Sequence, residues 1–111
     1  MTNTSAAIES DAVVSGMVKL IAPRKVDAVE PQHRLIGDLG FHSLVLAELG
    51  YNLEEVYGLR ALNPEEAMKL QTVGDVIELV RTEASAGRAE LADSETVADV
   101  FARYGAESPV R

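Results

Sequence analysis

No cysteine occurs among the 111 residues, which removes disulfide frameworks, thiolate zinc sites and a protein thiol nucleophile together. Any thiol chemistry has to be imported. Basic residues are scarce as well: ten Lys and Arg stand against eighteen Asp and Glu, a formal charge of −8. Nucleic acid and anionic membrane both bind through Lys and Arg that neutralise phosphate, so this balance disfavours them as partners. A basic protein surface suits it better. Long apolar runs are missing too, and the N-terminal MTNTSAAIES has neither a basic start nor an apolar signal core, so a cytoplasmic chain without a membrane span is expected. Neither an alternating strand pattern nor an internal repeat is present.

What remains is an average globular composition, 47% hydrophobic and 25% charged. A chain of this length hides roughly two-thirds of its unfolded surface on folding, enough for one core. The charge is unevenly spread. Residues 1–37 balance four acids with four bases, residues 38–83 carry nine acids against three bases, and residues 84–111 carry five against three. The acidity belongs to the middle segment.

Apolar residues at three- and four-residue spacing predict a first helix over about 6–22, with Val13, Met17, Leu20 and Ile21 on one face and Ile8 and Val14 beside it. Pro23 follows. The stretch 23–42 holds Pro31, Gly37 and Gly40 without a sustained period and reads as a long loop, of a kind that is often functional in small domains. A second helix is expected from Ser43, whose hydroxyl suits an N-cap, to the stop at Gly58. Val45, Leu46, Leu49, Leu53, Val56 and Tyr57 share its inner side. Leu44, Ala47, Glu48, Tyr51, Glu54 and Glu55 lie outward.

Asn63-Pro64-Glu65-Glu66 combines a cap, an N1 proline and a glutamate three after the cap, which predicts a short helix over 64–70. Thr72 caps a further helix to about 85, with Val73, Val76, Ile77 and Val80 inward. Gly87 then closes the packed domain. The fold class expected is all-α, a bundle of three main helices plus one short helix over residues 1–87. Residues 88–111 are expected as a mobile C-terminal extension, with a short helix grouping Val97, Val100, Phe101 and Tyr104 that is too short to stand alone.

The segment DLGFHSLVLAELGYNLEEVYGL, residues 38–59, carries the chemistry. It sets a glycine-bearing loop before a serine at a helix start, then a helix with an acidic outer face. In Asp38, Leu39, Gly40, Ser43 and Leu44 this segment resembles the acyl carrier protein motif D-x-G-x-D-S-L, and the resemblance extends over roughly residues 8–84. It implies an all-α acyl-carrier-like bundle that is not itself an enzyme. Ser43 would carry 4′-phosphopantetheine, supplied from coenzyme A by a phosphopantetheinyl transferase. Such a carrier, expected as a monomer, shuttles thioester-bound acyl intermediates of fatty-acid or polyketide biosynthesis. The same resemblance makes Asp38, Leu44, Ala47, Glu48, Tyr51, Glu54 and Glu55 the partner-binding residues, for acyl-transferring or condensing enzymes with basic docking patches. The imported arm also supplies the thiol that the chain lacks.

His42 departs from the pattern, standing where acyl carriers usually have Asp. A Ser43–His42 catalytic pair is not expected, because adjacent residues on a helix do not face one another and no oxyanion loop accompanies them. His33, His42 and the scattered carboxylates show no metal-ligand spacing, and Asp38-Leu39-Gly40 lacks the ligands of a calcium loop, so no metal is expected. Within the same chemistry the runner-up is an aminoacyl or peptidyl carrier of a nonribosomal synthetase, against which the acidic second helix favours the acyl reading. From a different class, an unmodified helical adaptor of the same fold stands as the alternative.

Overall fold

Four helices are found among the described residues. The computed structural model describes residues 4–59, 65 and 69–109, with 4–10 described by their backbone alone. Helix α1 (Thr4–Ile21) ends where Pro23 would deprive the next turn of a donor. Helix α2 (Ser43–Tyr57) stops at Gly58, whose φ of 64° lies in the left-handed region that glycine enters without strain. Helix α3 (Val73–Ser85) starts in a reciprocal cap, the Asp75 N–H donating to Thr72 Oγ1 while the Thr72 N–H donates to Asp75 Oδ2. Helix α4 (Ser94–Ala102) is capped by Asp93, whose Oδ1 accepts from the Thr96 N–H at 2.8 Å. The short helix expected over 64–70 lies almost wholly outside the described residues.

Val13, Val14, Met17, Val18 and Ile21 of α1 form the centre of the core, with Leu49, Leu53, Val56 and Tyr57 of α2 and Val73, Val76, Ile77 and Val80 of α3 around them. These are largely the faces that periodicity selects. Val45 and Leu46 pack against the core while remaining half-exposed. Helix α1 packs on both α2 and α3. Among the described residues no helix is long and apolar enough to cross a membrane.

The C-terminal segment corrects the expectation of a mobile extension beyond Gly87. Gly87 ends α3, but the chain then runs along the C-terminal end of α2, where the Glu90 and Ala92 N–H groups donate to the carbonyls of Tyr57 (2.9 Å) and Val56 (2.7 Å). Those carbonyls belong to the last turn of α2 and have no partner within their own helix. Helix α4 then lies on α2 and buries Val97, Val100 and Phe101 in the common core. Its apolar residues are too few for a core of their own, so they join the existing one. Gly16 of α1 makes the room: a Cβ there would stand 3.0 and 3.2 Å from the Phe101 ring.

Truncating a buried aromatic removes its transfer free energy and leaves a cavity, so Phe101→Ala should destabilise the fold by about 3–5 kcal/mol. In a domain of this size that corresponds to a fall in Tm of more than ~10 °C, read by the far-ultraviolet helical signal. An unchanged Tm would mean that α4 does not share the core.

Candidate functional site

Ser43 is positioned by the irregular stretch that precedes it. Leu35, Leu39 and Phe41 of that stretch are buried in the core, and the chain between them is closed by its own backbone. The N–H groups of Asp38 and Leu39 donate to the Arg34 carbonyl, that of Gly40 to Ile36, and that of Phe41 to Leu35. Gly40 has φ 74°, a conformation that costs an L-residue roughly 1–2 kcal/mol. The glycine is required by this turn. A pair of bonds then ties the stretch to the start of α3: the Leu35 N–H donates to Gln71 O (2.9 Å) and the Val73 N–H to His33 O (3.0 Å).

Asp38 is half-buried and serves this turn rather than the outer surface. Its Oδ2 accepts from the Arg34 N–H at 2.7 Å, with the Arg34 guanidinium 3.9 Å away. His33 also closes a turn, its Nδ1 accepting from the Glu30 N–H at 2.9 Å. Among the described residues no group of three or more His, Asp or Glu is arranged to hold a metal.

The cap of α2 is His42, not Ser43. His42 has the extended backbone of an N-cap and makes no side-chain capping bond, while its carbonyl accepts from the Leu46 N–H at 2.8 Å. Ser43 is therefore the first helical residue. It is exposed, and its hydroxyl bonds to no described residue. The N–H groups of Ser43, Leu44 and Val45 likewise have no acceptor among the described residues, and the first turn carries no acid. A phosphodiester on this hydroxyl would meet free donors and the positive end of the helix dipole. The residues present fit an anionic group attached there.

The outer face of α2 divides in two. Leu44 and Tyr51, about 20° apart at 100° per residue, are 76% and 72% exposed, with Ala47 exposed beside them. Glu54 is half-buried. Glu48 and Glu55 turn toward α4 and are engaged there. Glu55 receives both Nη atoms of Arg103 at 2.9 and 2.7 Å, which holds its carboxyl below the usual range, the hydrogen bonds first and the guanidinium charge second. Glu48 accepts from the Tyr104 hydroxyl. Burial, with the Glu48 carboxylate adding to it, raises the Tyr104 phenol above its ordinary value.

Asn52 lies between these pairs and is 5% exposed. Its amide donates to the Glu48 carbonyl and to the Tyr104 hydroxyl, both at 2.9 Å, and its Oδ1 receives Arg103 Nη1 at 3.4 Å. The three glutamates thus do not form one solvated stripe. The sequence pattern groups Tyr104 with the apolar residues of α4, but nothing in it signals Asn52 and Arg103 as members of this cluster.

Comparison with known proteins gives the family. The family described as "Phosphopantetheine attachment site" matches residues 12–80. The chain belongs to that family. An acyl carrier protein from Desulforapulum autotrophicum (strain ATCC 43914 / DSM 3382 / VKM B-1955 / HRM2) is 36% identical over 73 residues, covering 61% of this chain and 94% of that protein. No solved structure gives a significant match. The chain is accordingly a phosphopantetheine-bearing carrier and not an enzyme. Residues 88–111, including Arg103 and Tyr104, lie beyond the matched segment.

The support under the Ser43 loop is open to titration. Asp75 accepts from the Gln71 and Thr72 N–H groups at 2.9 and 3.0 Å, and those bonds hold its carboxyl below the usual range. A lowered folded pKa means stabilisation that is present above the unfolded value and lost as pH falls through the folded one. Asp75→Ala should therefore lose about 0.5–2 kcal/mol at pH 7, the range of a helix cap. In urea unfolding at successively lower pH the two proteins should converge below the ordinary carboxylate range; a constant difference would show that the carboxylate charge contributes nothing.

Proposed function

We propose that Ser43 is the residue that carries 4′-phosphopantetheine, and that the chain shuttles acyl intermediates between enzymes of fatty-acid or polyketide biosynthesis. The carrying observation is the exposed hydroxyl of Ser43, free of bonds to described residues at the first position of α2, within the matched family segment. Bound phosphopantetheine supplies the thiol on which an acyl group is held as a thioester, a thiol the chain itself lacks.

This chain's residues present and brace the attachment point. Leu35, Leu39 and Phe41 fix the loop, Gly40 turns it, and His42 supplies the cap so that the serine hydroxyl is left for chemistry. In the modifying step the Ser43 oxygen bonds to the phosphorus of coenzyme A bearing the pantetheine, the pyrophosphate bond breaks, and the adenosine bisphosphate leaves. The serine proton passes to the transferase. The free N–H groups of the first turn would then be available to stabilise the charge of the phosphodiester. Phosphopantetheinyl transferases and acyl-transferring or condensing enzymes are the partners, meeting the carrier on the outer face of α2 beside Ser43. The acyl cargo is supported by the relative named acyl carrier protein.

Incubation with a phosphopantetheinyl transferase and coenzyme A should raise the intact mass of the chain by one phosphopantetheine. Ser43→Ala should keep the helical signal and gain no mass. A mass increase in Ser43→Ala would assign the attachment elsewhere.

A further inference from the structure

The large hydrophobic side chains exposed among the described residues are Ile36, Leu44 and Tyr51, at 66%, 76% and 72%. Ile36 lies on the loop that leads into Ser43. Leu44 and Tyr51 lie on the outer face of the helix that Ser43 begins. Leu44 and Tyr51, about 20° apart around α2, form one apolar strip on the helix that Ser43 begins, and such a strip marks a docking surface more strongly than apolar residues scattered singly.

The charge around them is not what α2 alone would present. Helix α4 and the residue pair that follows it, Arg103 and Tyr104, hold two of the three outer glutamates within the molecule. Arg103 places a full positive charge on Glu55 in a two-pronged pair whose members are about half-exposed, and Glu55 stands only about 40° around α2 from Tyr51. Tyr104 occupies an oxygen of Glu48 and is itself held by Asn52. The arrangement is anchored by Val97, Val100 and Phe101 in the core.

We propose that α4 acts as a partner filter: by engaging Glu48 and Glu55 it weakens docking of basic surfaces on α2 and leaves Ile36, Leu44, Ala47 and Tyr51 to select partners with an apolar docking surface. The inference rests on the carrier reading of Ser43 above. A basic residue from a partner would have to replace Arg103 at Glu55, exchanging one ion pair for another, whereas an apolar partner surface gains the burial of Leu44 and Tyr51.

The test measures loading of the full unmodified chain by a phosphopantetheinyl transferase with a basic docking surface, using coenzyme A and intact mass, at low and high salt. Tyr104→Phe releases Glu48 without changing net charge, and Arg103→Gln releases Glu55. Arg81→Gln is the control: it releases Asp11 from the pair between α3 and α1 and changes net charge by the same amount as Arg103→Gln.

The proposal expects Tyr104→Phe and Arg103→Gln to lower KM by about three- to fivefold at low salt, the scale of an exposed charge contact. The gain should disappear at high salt, and Arg81→Gln should leave KM unchanged. Leu44→Ala and Tyr51→Ala should each raise KM about tenfold at either salt, with kcat and Tm retained. If the wild-type chain gains no mass, the carrier reading itself fails and the filter with it. If it is loaded but Tyr104→Phe and Arg103→Gln leave KM unchanged or raise it at unchanged Tm, or Glu48→Gln and Glu55→Gln raise it as much as Leu44→Ala, the filter alone is overturned.

Discussion

The position of Ser43 depends on the burial of three side chains, Leu35, Leu39 and Phe41, from a stretch with neither helix nor strand of its own. Each contributes roughly 1.5–3 kcal/mol of transfer free energy. That is large beside the local hydrogen bonds, which contribute about 1 kcal/mol each after exchange with water. The bonds are nevertheless what give the stretch a single shape: burial brings it to the core without regard to direction, and the Arg34–Phe41 turn sets which residue emerges at the head of α2. Gly74 adds a close approach from the other side, its N–H donating to Pro31 O, with only 3.1 Å between that oxygen and a Cβ placed there.

The same core explains why α4 belongs to the bundle. A nine-residue helix is marginal in water by itself, because nucleation fixes several residues for few bonds. It forms here because three of its residues complete a core already organised by α1 and α2. The linker along the carbonyl end of α2 then satisfies backbone groups that otherwise need water. Once α4 is seated, Tyr104 and Arg103 follow from its last turn directly onto α2. The cluster around Asn52 is thus a consequence of core packing before it is an arrangement of charge.

Much of this was legible in the sequence, and the remainder had physical reasons for being hidden. The faces of α1, α2 and α3 follow the helical period because each buries one side, and Thr72 and Gly58 mark ends through chemistry that acts locally. The motif around Ser43, on which the proposed attachment site rests, is short and local, but the cap of α2 was not legible: Ser and His differ in capping preference, and the loop geometry gave that place to His42 against the preference. Leu35, Leu39 and Phe41 show no helical or alternating period, since an irregular segment imposes none. The packing of α4 is a tertiary property, for which the local trace is Gly16. A glycine inside a helix costs about 1 kcal/mol relative to alanine, and here that cost accompanies contact with Phe101.

Two kinds of electrostatics then separate on one molecule. The net charge of −8 is a property of the whole chain and is unchanged by internal pairing. Its field guides approach, but at physiological ionic strength it decays over about 8 Å. Contact is governed by the groups within that distance of the proposed docking surface, and there Arg103 has already paired with Glu55. An acidic carrier can therefore attract basic proteins in general while distinguishing among them at contact by shape and apolar area. Sequence composition reports only the first of these effects. The second depends on residues 48–52 and 103–104, which are separated along the chain by half its length and meet only after the core has formed.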